Sequence, residues 1–151
     1  MNDLLENLRG PVLLGATVAA GLQAGTYYTW SSGVMPGLAR TDDHTFTSSM
    51  NHINVAIVNP VFMLTFLGAP ALAAAAVATT APGARGWAIA GLVLALGTVA
   101  VTAAGNVPLN DALAAGGSRA GFETAWVRWN VVRTLTSTGA LACLAWAAWK
   151  S

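Results

Sequence analysis

The sequence predicts an all-α fold, an integral membrane four-helix bundle made by a single domain over residues 1–151. Three observations predict it. Hydrophobic residues make up 55% of the chain and charged residues 9%, about a third of the ~25% usual in globular domains. The charges are also segregated. None falls between Arg9 and Arg40, Asp43 and Arg85, Arg85 and Asp111, or Arg133 and Lys150. Finally, these stretches lack strand-like alternation, and helix is the backbone that satisfies its own peptide groups in hydrocarbon. A net charge of +1 argues against nucleic acid as a partner, because neutralising phosphates takes a surplus of cations. The apolar excess excludes disorder. The single cysteine, Cys143, excludes an internal disulfide framework and a cysteine-rich metal site.

A crossing helix needs about 20 apolar residues, which places spans at about 11–30, 53–80, 86–104 and 130–149. The first runs from Pro11 to Trp30. Asp3 and Glu6 before it do not fit the positive leader of a cleavable signal, so this span is expected to be retained. Gly21 and Gly25 form a small-xxx-small pair that suits close helix packing, as do the 31 alanines of the chain. The second span runs from Ile53 to Thr80, led in by Thr41-Asp42-Asp43, whose short oxygen side chains suit a helix cap. The short turn Ala81–Arg85 makes spans two and three antiparallel neighbours. The third span, Gly86 to Ala104, ends in Asn106-Val107-Pro108-Leu109-Asn110, with Pro108 suited to a first helical turn. Gly116-Gly117 breaks that turn, and residues 122–149 read as one long helix that enters the membrane at about Asn130. Tyr27, Tyr28, Trp30, Trp87, Trp146 and Trp149 lie where an interfacial aromatic belt is expected. Arg9, Arg85 and Lys150 fall on one side, and Arg40, Arg119 and Arg128 on the other. This balance leaves the orientation open. The bilayer is the expected environment, that of a bacterial cell membrane, and a second copy of the chain remains open as a partner.

Polar groups gather at one end. Alternating helix direction brings Tyr27 and Tyr28, Asn51, His52, Asn54 and Asn59, Asn106 and Asn110, and Trp126, Trp129, Asn130 and Arg133 to the same side of the bilayer. At 100° per residue the last four share one helix face. His52 and Asn59 are nearly aligned on the second span, whereas Asn54 points elsewhere. The charge-free part of the last span is only 16 residues, too short to cross, so Arg133 lies at or inside the boundary. A charge at a span centre costs about 2.5–3.5 kcal/mol, less near the edge. Arg133 either snorkels to the headgroups or faces inward and orders a pocket, and its neighbours Trp129 and Asn130 favour the pocket. The asparagines can each serve only as caps or helix-to-helix ties, worth about 0.6 kcal/mol each in a membrane. Six amides with one arginine point to a pocket. His44 and His52, with Asp42 and Asp43, give a weak metal signal, because no HxxxH, ExxH or HxH spacing is present. The expected site therefore has no metal, with His44 and His52 as the alternative ligands.

Met35-Pro36-Gly37-Leu38, Phe46…Met50…Ile53-Asn54, Asn59-Pro60, Asn106-Val107-Pro108-Leu109-Asn110 and Trp126…Trp129-Asn130…Arg133 together resemble the anthrone oxygenases, small four-span membrane proteins of polyketide pathways. The resemblance implies oxidation of an anthrone-type aromatic polyketide to a quinone by dioxygen, with no added cofactor. An anthrone has an acidic CH2. Its deprotonated form can pass an electron to dioxygen. On this reading Arg133, His52, Asn54 and Asn110 form the catalytic set, with His52 as the proton acceptor and Arg133 and the amides stabilising the oxyanion. Tyr27, Asn59, Asn106, Trp126, Trp129 and Asn130 hold the substrate, the aromatic side chains by stacking. Two alternatives stand beside it. One is a metal-dependent membrane oxygenase using His44 and His52. The other is a small-molecule-binding membrane protein without catalysis.

Overall fold

A computed structural model describes residues Asn2–Ser151, with side chains from Glu6 onward, and among them every regular element is a helix. The chain runs through α1 (Asn2–Thr29), a π-helical turn (Trp30–Val34), α2 (Met35–Leu38), α3 (Asp43–Ile57), α4 (Pro60–Thr79), α5 (Pro82–Val101), a second π turn (Thr102–Asn106), α6 (Val107–Ala114) and α7 (Arg119–Lys150). Among the described residues, three helical stretches are long and apolar enough to cross a membrane: Pro60–Thr79, Pro82–Ala114 and Arg119–Lys150. The first expected span is helical throughout but is not one of the three. Gln23, Thr17, Thr26 and two tyrosines dilute its apolar content.

The second expected span needs correction. It is two helices rather than one. Pro60 has no N–H to continue a helix and disfavours helical backbone at the residue before it. Asn59 accordingly takes φ −125°, ψ 161° and caps α4, its Oδ1 accepting from the backbone N–H groups of Val61 and Phe62 at 3.1 Å each. The chain therefore has a separate helix, α3, beyond its four long ones and the short α2, while α6 continues α5 through the second π turn.

The long helices touch in a ring: α1 packs on α4 and α7, and α5 on α7 and α4. Their shared interior is small-sided. Ala16, Ala20, Ala73, Ala76, Ala88, Ala140 and Ala147 are buried with Leu13 and Leu144, while Leu14, Val61, Leu64, Val93 and Leu135 point outward. Large apolar side chains outside and alanine inside is the pattern of helices solvated by lipid, where close backbone packing replaces the hydrophobic drive. Between the long helices, α5 and α7 approach closely, and Gly21 and Gly25 do not mark such a contact. A Cβ on Gly91 would lie 2.8 Å from Leu144, and one on Gly139 3.0 Å from Leu94, whereas Gly21 leaves 3.6 Å and Gly25 meets nothing.

A second, bulkier cluster closes the polar end, where Trp30, Met35, Phe46, Met50, Leu113, Phe122 and Trp126 pack together. Asp42 caps α3, accepting from Thr45 N–H at 2.9 Å, and Ser118 caps α7. Gly116, at φ +94°, makes the turn between α6 and α7 in a conformation that costs other residues strain. Trp87, Trp146 and Trp149 are exposed at the opposite end.

Candidate active site

A cavity of about 290 Å³ opens at the polar end, walled by α1, the α3–α4 corner, the second π turn, α6 and α7. Six residues singled out from the sequence line it: Tyr27, Asn54, Asn106, Asn110, Trp126 and Arg133. Its other wall is apolar, with Ile57, Val58, Phe62, Met63 and Phe66.

Arg133 sits at the centre of the polar wall and is 7% exposed. Its guanidinium lies 4.5 Å from the centre of the Tyr27 ring and 5.0 Å from that of Trp126. Nη2 donates to Asn130 Oδ1 at 2.8 Å, and Nε has no partner. Among the described residues, the ion pairs found involve Arg119 and not Arg133. The two π faces compensate a buried cation in part, but a charge held away from water without an anion is costly. Snorkelling is thereby excluded for this side chain, because it is turned inward and buried.

Around Arg133 the amides divide into ties and free ends. Asn130 is a positioning residue behind the cavity wall. Its Nδ2 donates to the Tyr27 carbonyl at 3.0 Å and to Ser31 Oγ at 2.7 Å, and its Oδ1 receives the guanidinium. Trp126 Nε1 donates to Asn110 Oδ1 at 2.9 Å. Asn106 Nδ2 donates to the Trp126 carbonyl at 3.3 Å. Asn106 Oδ1 is unpaired, and so is Asn54 Nδ2. Buried polar atoms nearly always find partners. Among the described residues five buried side-chain atoms lack one, and three of these belong to residues on this cavity, which leaves it with hydrogen-bonding capacity that the protein does not use. Two of the three are donors, Arg133 Nε and Asn54 Nδ2, and one is an acceptor.

Both π turns border the cavity. The first begins with Trp30 and the second carries Thr102 and Asn106. Wide turns of this kind gather at functional sites because they re-aim side chains within a continuous helix. Gly105 lies under the Trp129 indole so closely that a Cβ there would be 2.5 Å from it. The Gly105–Trp129 contact and the apolar wall were not visible from the sequence. Gly105 reads as one more small residue in a Gly/Ala-rich helix.

Besides Asn130, four expected site residues stand off the cavity. His52 is exposed, its Nδ1 2.7 Å from the Ser48 carbonyl oxygen, and does not line the cavity. The alignment of His52 with Asn59 assumed one continuous helix, and the break at Val58–Asn59 removes that phase. The same break is why Asn54, expected to point away, faces the cavity. Asn59 is occupied as a cap. Trp129 covers Gly105 from outside and is 41% exposed. His44 is exposed, beside a surface groove with Asp43 and Arg119. Among the described residues, no group of three or more His, Cys, Asp or Glu is placed to hold a metal, so His44 and His52 have no further ligand to complete a site.

The family model for anthrone oxygenases matches residues 50–143. The chain belongs to the anthrone oxygenase family. The matched range holds Asn54, Asn106, Asn110, Trp126 and Arg133, while Tyr27 of α1 and Trp30 of the first π turn reach the cavity from outside it. No curated protein and no solved structure matches the chain.

Proposed function

We propose that this protein is a membrane oxygenase that oxidises an anthrone-type aromatic polyketide to a quinone with dioxygen, inside the cavity at the polar end of a bundle of four crossing helices, α1 completing the set. The observation that carries this reading is the buried Arg133 guanidinium, its Nε unpaired, on a cavity whose opposite wall is apolar. A flat polyphenol fits between the apolar wall and the Tyr27, Trp30 and Trp126 rings. Its oxygen takes the place of the anion that Arg133 lacks.

The chemistry balances without a further reactant. Loss of a proton from the anthrone CH2 leaves an anthrolate, its charge on the ring oxygen. Arg133 Nε and Asn54 Nδ2 donate to that oxygen, and such donors act strongly because they are fixed in a water-poor site. The anthrolate gives one electron to dioxygen, forming a ring radical and superoxide. These join at the same carbon with a new C–O bond, and the peroxide takes up a proton. Loss of the second C–H proton with cleavage of the O–O bond gives the quinone carbonyl and water. One dioxygen is consumed per quinone. Among the described residues no imidazole or carboxylate lines the cavity, so on this reading the protein promotes the first step by stabilising the conjugate base, and the proton passes to water at the open polar end.

Purified protein in lipid nanodiscs, supplied with emodin anthrone, is expected to take up oxygen and form quinone in equal amounts. His52→Gln is expected to keep the wild-type rate. Oxygen uptake no faster than in empty nanodiscs would refute the enzymatic reading. A rate lost with His52 would restore an imidazole base.

A further inference from the structure

A second, smaller void lies deeper among the four long helices. It measures about 10 Å³ and is faced by Ala20 of α1, Ala69 of α4, Ala95 of α5 and Ala140 of α7. Phe66 lines both this void and the larger cavity. We propose that the small void is a holding site for dioxygen, next to the place where the aromatic substrate is oxidised. This inference rests on the oxygenase reading above.

Size and polarity support it. The space suits one water-sized molecule. A water needs two to four hydrogen-bond partners to stay in a cavity, and the polar side chains on this wall are already engaged. Gln23 Nε2 donates to Thr65 Oγ1 at 2.9 Å, and its Oε1 accepts from Tyr27 OH at 2.8 Å. Thr98 Oγ1 donates to the Leu94 carbonyl at 3.1 Å, and Ser137 Oγ donates to the Arg133 carbonyl at 2.6 Å. Pro70 offers no N–H to the Phe66 carbonyl, so that acceptor and the second N–H of Gln23 are what the wall keeps for a water, the low end of that range. A space so poor in free polar groups favours small apolar guests over water, and dioxygen is such a guest.

Position supports it as well. Dioxygen dissolves better in hydrocarbon than in water, so an alanine-walled space inside the helices is supplied from the bilayer. Ser137 lies one helical turn beyond Arg133, an axial step of about 6 Å. Phe66, its ring stacked on Phe62 at 5.5 Å between centroids, borders both spaces. Electron transfer from anthrolate needs the oxidant close by, with no bond to the protein.

Dioxygen is paramagnetic, which allows a direct test without substrate. In protein labelled with carbon-13 at alanine methyls, relaxation is compared under oxygen and under nitrogen. Ala20, Ala69, Ala95 and Ala140 should relax severalfold faster under oxygen than Ala73, Ala76, Ala84 and Ala88, which are equally buried but do not line the void. Equal enhancement in both sets overturns the proposal. If the first set alone responds while no oxygen is consumed with an anthrone, the gas site stands and the catalytic reading fails. In the kinetic arm, Ala69→Val narrows the void and should raise the half-saturating oxygen concentration severalfold, with the KM for the anthrone unchanged. An unchanged oxygen dependence in that folded variant also overturns it.

Discussion

Two of the three arginines of helix α7, Arg119 and Arg133, have surroundings that differ in kind. Arg119, at its start, is answered on every side. Its Nε donates to Glu123 Oε2 at 2.7 Å, Nη1 to the Thr41 carbonyl and Asp43 Oδ1, and Nη2 to the Ala39 carbonyl, and its guanidinium lies 4.4 Å over the Phe46 ring. It ties the loop before α3 to the head of α7. Arg133, nearly four turns on, is more deeply buried yet has one amide partner and two ring faces. A structural arginine is saturated by the protein. One left short, in a cavity, has room for a partner that the protein does not supply.

That contrast can be broken most severely at Arg133. Arg133→Met should lower kcat by about 10²–10³-fold, the usual loss when one oxyanion donor is removed. The melting temperature should hold or rise, because the variant trades an unpaired buried charge for an apolar side chain. Oxygen uptake and thermal unfolding of the same sample check both halves. A sharp fall in melting temperature would make Arg133 a structural group like Arg119.

Gly105→Ala is next. The added methyl meets the Trp129 indole, so the second π turn must shift and carry Asn106 with it. Turnover should fall about tenfold or more, since misplacement of a binding group by a fraction of its reach is costly. The double variant with Trp129→Ala should recover much of the loss. Failure of that rescue would separate the Gly105 contact from the placement of Asn106.

At Arg119 the expectation reverses. Arg119→Ala should lower the melting temperature while the surviving folded protein keeps near-wild-type kcat. A kcat loss as large as that of Arg133→Met would erase the distinction between the two arginines.

The smallest effect is at the cap of α3. Thr45, through its side chain and then its N–H, holds the exposed Asp42 carboxyl below its ordinary range. A carboxyl depressed in the folded state contributes stability above its unfolded pKa of about 3.9, and loses it as pH falls through the lower folded value. Asp42→Ala should therefore unfold slightly earlier than wild type at neutral pH, with the difference vanishing in strong acid. Melting curves across that range would show it.

Much of this arrangement was legible in the residues. The charge-free stretches mark the long helices, because an ionised side chain in hydrocarbon is the costliest thing a sequence can place there. Trp126, Asn130 and Arg133 stand at intervals of four and three, so one helix face had to hold them together. The rest was hidden for definite reasons. No charge falls between Asp43 and Arg85, so the stretch reads as one span, although Pro60 marks the break that turns Asn54 inward and leaves His52 outside. Trp129 sits at the edge of its helix face, and only the approach of Gly105 decides that it covers a neighbouring helix. The π turns leave no periodic trace, since a shift in hydrogen-bond register depends on what packs beside it.

Those two wide turns also make length matter more than identity. Each holds its helix open by one residue beyond the regular count. Removing a residue from either would let the backbone close into ordinary α-helix with its hydrogen bonds intact, and the helix beyond would keep nearly its present facing, because the extra residue is taken up inside the wide turn itself. What would be re-aimed is the turn's own stretch of cavity wall, Trp30 at the first and Thr102 and Asn106 at the second. Helices that accept many exchanges on their outer surface are thus sensitive, at two points, to losing a single codon.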